Sequence, residues 1–286
     1  MFRQLRSYLS LTARIWKAPG NRGHQPGRVL RSMLWLVNKK TACKPWTLPV
    51  FDGLKLRCHP DSIIALHVVQ RGEWHDWDTA QFITRFLRGG DTFVDVGANI
   101  GLYTLPASRI VKNTGRVIAV EPSPINRARL QENLALNNIS TVDIEACALG
   151  ESPGELSFSD EDALAHVELN GSGPKVPVKT FDSIAPQNEI ALMKVDVEGF
   201  ELSVFRGAIE TIKAGRLPVI LFEMNHSYLR YGVTDDDIFT FLRSAGYEIA
   251  RYEHDSRRVV HDHLEGDVVA YTPRGLDLIQ DRLLHS

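Results

Sequence analysis

The chain has 286 residues, of which 43 % are hydrophobic and 24 % charged, a balance that permits a substantial buried core. No run of about 18 apolar residues is available to cross a bilayer, and Cys43, Cys58 and Cys147 lack the paired spacing of a disulfide framework or thiolate metal site, so a reducing, cytoplasmic setting is expected. The net charge of −2 hides an asymmetry: residues 1–50 hold ten Lys or Arg and no acid, whereas the other 236 residues hold 23 basic and 35 acidic side chains.

The first segment, residues 1–50, is therefore read as a basic extension to a domain spanning 51–286. Within it Val29, Leu30, Met33, Leu34 and Val37 recur at helical spacing beside Arg28, Arg31, Lys39 and Lys40, which predicts an amphipathic basic helix. Two readings stand: a membrane-surface or anionic-partner contact through residues 1–45, or a helix packed on the acidic body. An Arg-rich, Ser-containing, acid-free start also fits a mitochondrial transit peptide. Nucleic-acid binding is not expected, because the cations sit in one arm and the body is acidic.

From about residue 50 short apolar runs alternate with helical patterns, the signature of a sheet covered on both faces. Strands are predicted at Thr92–Val96, Arg116–Val120, Thr141–Ala146, Leu192–Val195, Val219–Glu223, Tyr247–Arg251 and Asp267–Tyr271. The fold class is α/β, a doubly wound, mostly parallel sheet of seven strands. Ser123 as N-cap with Pro124 behind it opens a helix that ends at Asn137-Asn138, and Thr234 with Asp237 forms a capping box for a helix stopped by Gly246. Segment 151–180, punctuated by Pro153-Gly154 and Gly171-Ser172-Gly173-Pro174, reads as a hairpin or flexible insertion at the sheet edge.

The chemistry concentrates where strands end. Phe93-Val94-Asp95-Val96-Gly97-Ala98-Asn99-Ile100-Gly101 runs from an apolar strand into a glycine turn and then a helical stretch, the place where open α/β sheets bind ligands. Gly97 lets the backbone turn and a ligand approach, and the helix offers unpaired N–H groups. The G-x-G-x-x-G spacing of dinucleotide sites is missing, and a carboxylate at Asp95 would repel a diphosphate but accept a hydrogen bond from an ammonium. S-adenosylmethionine carries an ammonium and no phosphate; the alternative is that Asp95 caps a loop. Glu121, ahead of Pro122 at the next strand end, lies 26 residues past Asp95, near the spacing for an acid on a ribose hydroxyl, or is a solvated strand-end acid. After the predicted central strand, Asp196 could orient the sulfonium end or the acceptor, while Glu198 could hold the cofactor amine or, like Glu201, favour a helix N-terminus.

In order, Val94 to Gly101, Glu121-Pro122, the Asn133–Asn138 region, Ala148-Leu149-Gly150, Thr180-Phe181-Asp182 and Lys194 to Gly199 resemble the FkbM family of S-adenosylmethionine-dependent methyltransferases, over a core of about residues 91–251. The resemblance implies the Rossmann-like class I methyltransferase fold and methylation of a hydroxyl on a sugar, glycan or related metabolite. It sets the cofactor against Asp95, Gly97, Asn99, Glu121 and the Cys147-Ala148 turn, and its first motif takes in Ala98 and Gly101. Two departures stand out: Pro106 falls in the first predicted helix, where it should kink it, and Phe181 replaces the usual leucine.

An acceptor hydroxyl must lose its proton during transfer, which favours a base with a pKa near the working pH. Asp196, Glu223 and His226 are predicted to share the acceptor site, with His166 a weaker candidate and His226 otherwise an ordinary loop histidine. Trp74 and Trp77 either stack on a sugar or fill core. No metal is expected, since Asp235-Asp236-Asp237 reads as a solvated helix start. The rival readings are a non-catalytic methyltransferase-like module that binds cofactor and a partner or membrane, and an N-methyltransferase, against which Asp196-Val197-Glu198-Gly199 occupies the place of a Pro-Pro-aromatic motif.

Overall fold

The computed structural model describes residues 12–72, 77–158, 167, 168, 171, 173–262 and 264–284. Trp74 and His166, two of the candidates above, and most of the 159–172 segment fall outside the described residues. The chain divides into two compact units, Met1–Trp77 and Asp78–Ser286. The charge boundary near residue 50 lies inside the first of them.

In the first unit, helix α1 (Gln25–Lys40) begins with Pro26 in its opening turn and ends with Lys39 and Lys40, cations that suit the negative end of the helix dipole. Strands β1 (Trp46–Pro49) and β2 (Lys55–Cys58) pair antiparallel, and helix α2 (Ile63–Arg71) follows, its N-cap Ser62 accepting from the Ala65 N–H at 3.2 Å. Arg31 ties α1 to α2 by donating to the backbone carbonyls of Val68 and Val69 at 2.8–2.9 Å. Burial and the nearby Arg28 lower its pKa to about 10, which still leaves it charged at neutral pH.

The boundary falls within α3 (Trp77–Phe86), and the second unit is organised by one main sheet. Its strands are β3 (Thr92–Val96), β4 (Arg116–Val120), β5 (Val142–Glu145), β10 (Leu192–Val195), β11 (Val219–Met224), β12 (Glu248–Glu253), β13 (Arg258–Val260) and β14 (Gly266–Tyr271), in the order β13-β12-β14-β11-β10-β3-β4-β5. From β11 to β5 the pairings are parallel; β14 is antiparallel to both β11 and β12. All residues of β3 and β10 are buried, so both faces of the sheet centre are covered, as their unbroken apolar runs require. The count is eight strands rather than seven: Arg258–Val260 folds back antiparallel on β12 after a tight turn, and a three-residue, half-exposed strand carries too little alternation to be legible in sequence.

Helices α4 (Thr104–Val111), α5 (Pro124–Leu136), α6 (Glu201–Arg206), α7 (Ile209–Lys213), α8 (Asp235–Ser244) and α9 (Pro273–Leu284) complete the unit. The caps follow from the sequence: Ser123 accepts from the Asn126 N–H at 3.4 Å, and Thr234 and Asp237 form a reciprocal box. Pro106 does not kink α4, because the helix starts only at Thr104 and the proline sits in its first turn, where its N–H would have no intrahelical partner. Segment 148–179 is neither a lone hairpin nor part of the main sheet. It forms a second sheet of β6 (Ala148–Leu149), β7 (Gly154–Phe158), β8 (Val167–Glu168) and β9 (Lys175–Lys179), ordered β6-β9-β7-β8.

The C-terminal helix is fastened to the start of β3 by an ion pair. Arg282 donates to both oxygens of Asp91 at 2.6 and 3.1 Å, and its guanidinium lies 4.9 Å from the centre of the Phe86 ring. Both side chains are largely buried, so removing one strands the other. Arg282→Ala should lower the unfolding free energy by about 2–4 kcal/mol. The measurement is the urea midpoint at unchanged slope, and an unchanged midpoint would mean the pair contributes nothing net.

Candidate active site

The carboxyl ends of β3, β4, β5 and β10 are held together by backbone hydrogen bonds that continue past the strands. Asp196 N donates to Val96 O at 3.0 Å, Gly97 N and Ala98 N to Val120 O at 3.0 and 3.1 Å, and Glu121 N to Glu145 O at 3.1 Å. Gly97, at φ +84°, is needed here because a Cβ would lie 1.9 Å from the Asp196 carbonyl oxygen. The close approach that glycine permits is thus made by the chain's own backbone. At Gly101 a Cβ would lie 2.6 Å from Leu130 Cδ1, so that glycine seats the loop on α5. The buried Asn133 amide pins the same loop by donating to Ile100 O at 2.9 Å.

Asp95 sits at 1 % exposure. Its Oδ2 accepts from Thr104 Oγ1 at 2.6 Å, while the buried Oδ1 has no hydrogen-bond partner among the described residues. Burial raises its pKa, and the nearby Lys194 ammonium and the Thr104 hydroxyl oppose that rise. Glu121, 5 % exposed, accepts from Asn99 N and Ser123 N, each at 2.8 Å, one on each carboxylate oxygen. Burial pushes its pKa up to about 7 despite those two bonds. Asn99 holds φ +49°, which turns its N–H toward this carboxylate. Pro122 has no N–H to offer, but its carbonyl and that of Glu121 accept from Arg127 Nη1. Cys147 is buried in the core that also holds Val96 and Val120, its thiol pushed up to about 11 by burial, and Ala148 opens β6.

These groups suit S-adenosylmethionine on chemical grounds. An orphaned, buried carboxylate oxygen at Asp95 wants a hydrogen-bond donor, such as an ammonium, and each oxygen of Glu121 keeps a lone pair for a ribose hydroxyl.

A second group gathers at the ends of β10 and β11. Lys194, 3 % exposed, pairs in register with Asp95 across the sheet and reaches Asp196 Oδ2 at 2.9 Å, with the Tyr103 ring 4.8 Å from its Nζ. Burial works against its charge, but Asp196 and Asp95 outweigh it and raise the pKa above the usual lysine value. Sequence reasoning assigned Lys194 no role, although a lysine inside Leu192-Met193-Lys194-Val195 was the signal that a buried charge needed partners. Asp196, Glu198 and Glu223 bring carboxylate oxygens within 4.8 Å of one another, a group that a hard cation would also accept. The expectation of no metal rested on sequence spacing, which does not bring Asp196, Glu198 and Glu223 together; Asp235-Asp236-Asp237 forms the first turn of α8. Glu223 is pushed up to about 8 by burial and by Asp196, Asp267 and Glu198, and its Oε2 accepts from Asn225 Nδ2 at 2.7 Å. Glu198, at φ +52°, is raised by burial and by Asp196 and accepts from Ser227 Oγ at 3.4 Å.

His226 makes its contacts elsewhere, 3.8 Å from Asp235 Oδ2 and beside the Tyr228 ring. Trp77 is half-buried at the start of α3. Glu201, at the start of α6, reaches back to accept from Gly199 N at 3.1 Å and Val197 N at 3.3 Å, and burial pushes it to about 7. Gly199 closes the site wall, since a Cβ there would lie 2.5 Å from the backbone of Ser227 and Tyr228.

Five raised carboxylates have a consequence for stability. Asp95, Glu121, Glu198, Glu201 and Glu223 all titrate above their ordinary range when folded, so between about pH 4.5 and 8 the folded chain holds more protons than the unfolded one, and stability falls as pH rises through that window. The ligand-free protein should melt at a higher temperature near pH 6 than near pH 8 by calorimetry, and Glu223→Gln should shrink the difference. A midpoint that rises over this interval would contradict the burial of these acids.

The methyltransferase FkbM domain model matches residues 95–249. Among curated relatives, Methyltransferase 1 of Beauveria bassiana is 30 % identical over 146 residues, 41 % of this chain and 58 % of that protein. The hexuronic acid methyltransferase AglP of Haloferax volcanii is 25 % identical over 246 residues, 82 % of this chain and 95 % of its own. A crystal structure of Methyltransferase FkbM from Methylobacillus flagellatus aligns with 86 % of this chain and 60 % of its own, at 18 % identity and a TM-score of 0.47. The chain thus spans under two thirds of the Beauveria and Methylobacillus proteins. The domain match covers more than half of the sequence and contains every element of the strand-end geometry from Asp95 to Glu223, and the chain belongs to the FkbM family of methyltransferases, whose cofactor is S-adenosylmethionine.

Proposed function

We propose that the chain transfers a methyl group from S-adenosylmethionine to a hydroxyl of a sugar, glycan or related metabolite. The sulfonium of the cofactor supplies the activated methyl group, which leaves the protein the tasks of alignment and proton removal. Asp95 and Glu121 bind the cofactor's ammonium and ribose, with Gly97, Ala98, Asn99 and Gly101 shaping the turn, Pro122 and the Cys147-Ala148 turn bordering it, and Asp196 and Glu198 at its far side.

The observation that carries the hydroxyl reading is Glu223. Its pKa of about 8, set by burial and the two neighbouring acids Asp196 and Glu198 together with Asp267, matches a base that must take a proton near neutral pH. Asp196, held by Lys194 at 2.9 Å, accepts a hydrogen bond from the acceptor, and its proximity contributes to the raised pKa of Glu223. His226 remains a candidate for binding the acceptor from the loop after β11, on the strength of its place in the chain. The sugar class is supported by the Haloferax relative, which is named a hexuronic acid methyltransferase and aligns over nearly its full length.

Calorimetric titration with S-adenosylmethionine should give micromolar binding that Asp95→Asn and Glu121→Gln each weaken at least about tenfold. Glu223→Gln should leave that binding unchanged and lower the rate of methyl uptake by hydroxylated glycans by roughly 10²–10⁴. A folded protein that binds no cofactor would remove the enzymatic reading in favour of a non-catalytic module. Cofactor binding with methylation only of amines would redirect it to nitrogen, and full activity in Glu223→Gln would assign the base elsewhere.

A further inference from the structure

Helix α1 is built inside out for a helix of a soluble domain. Its buried positions are Ser32, Trp35 and Asn38. Ser32 Oγ donates to Arg28 O at 2.8 Å, Asn38 Nδ2 donates to Lys44 O at 2.8 Å, and Trp35 packs edge-on against Trp46 with ring centres 5.0 Å apart. The inner face thus carries two polar side chains that bond within the unit beside one tryptophan ring. The apolar stripe lies on the other side. Leu30, Met33, Leu34 and Val37, spaced i, i+3, i+4 and i+7, are 58, 52, 52 and 57 % exposed. Among the described residues only seven large hydrophobic side chains are more than half exposed; these are four of them, and Trp16 of the same unit is a fifth at 53 %.

An apolar stripe that adds nothing to its own unit needs a cover, and the charge around it decides which. Between Thr12 and Gly72 there are eleven Lys or Arg and two Asp. Arg14, Lys17, Arg22, Lys39, Lys40 and Lys44 are exposed. At 100° per residue Lys40 flanks the stripe directly. A second copy of this chain would bring the same cations against one another, so self-association along this face is electrostatically opposed. A negatively charged lipid surface satisfies both features together: the stripe enters the acyl boundary, the cations meet the headgroups, and Trp16 has the amphipathic ring favoured at that depth.

We propose that α1 is a monotopic, in-plane membrane anchor, which seats the first unit on anionic bilayers through Leu30, Met33, Leu34 and Val37. It lies on the surface and does not span: no helix among the described residues is long and apolar enough to cross a membrane. The proposal is independent of the methyltransferase reading.

Co-sedimentation of the full chain with phosphatidylcholine vesicles, with and without phosphatidylglycerol, tests it. Binding should require the anionic lipid and weaken as salt is raised. The exposed double substitution Leu30→Ser with Leu34→Ser should reduce it at least about tenfold while thermal midpoint and cofactor binding stay unchanged, since neither side chain is packed. Wild-type protein that stays in the supernatant with anionic vesicles would overturn the proposal. So would vesicle binding indifferent to the double substitution, or a concentration-dependent doubling of mass that the substitution abolishes without any vesicle binding, which would make the stripe a contact between copies.

Discussion

At the centre of the sheet a lysine ammonium lies among apolar strands, held between two carboxylates. Lys194 sits opposite Asp95 in the β3–β10 register and bonds to Asp196 two residues along its own chain. A charge this deeply buried is tolerated only when paired, so the register of these two strands and the direction of the Asp196 side chain are set together. That in turn places the Asp196 carbonyl against Gly97 and sends the loop after β3 over the end of β4, where Val120 O receives two N–H groups. The backbone network that joins the strand ends is the outcome of this one arrangement.

The same burial explains why the site is rich in carboxylates that hold their protons unusually well. Taking acids out of water costs free energy in the charged form, and Asp196, Glu198 and Glu223 add mutual repulsion where β10 and β11 end. Such a group is suited to accepting a proton or to holding a hard cation, and it is destabilising for the fold at high pH. Stability is given up at the point where chemistry needs it, while ordinary ties such as Arg282 with Asp91 hold the periphery.

The two units differ in how they handle apolar surface. The acidic second unit buries its apolar runs, whereas α1 in the basic first unit turns Ser32 and Asn38 inward and leaves Leu30, Met33, Leu34 and Val37 more than half exposed. Helical periodicity alone cannot distinguish these cases, because it reports that a helix has two faces and not which of them is covered.

Much of the second unit was legible in its residues. Unbroken apolar runs located all seven predicted strands within a residue or two, and Ser123, Pro124, Thr234 and Asp237 marked helix starts because capping is a local hydrogen-bond requirement. Asp95, Glu121 and the Asp196–Glu198 pair could be placed along one edge because the ends of neighbouring parallel strands lie side by side. What sequence left open depends on contacts between distant residues: the eighth strand Arg258–Val260, the separate sheet built around β9, and Lys194 as the buried cation opposite Asp95 and bonded to Asp196. Local propensity determines which elements form; only packing in three dimensions decides which side chains lose water, and with it which acids keep their protons and which apolar face remains uncovered.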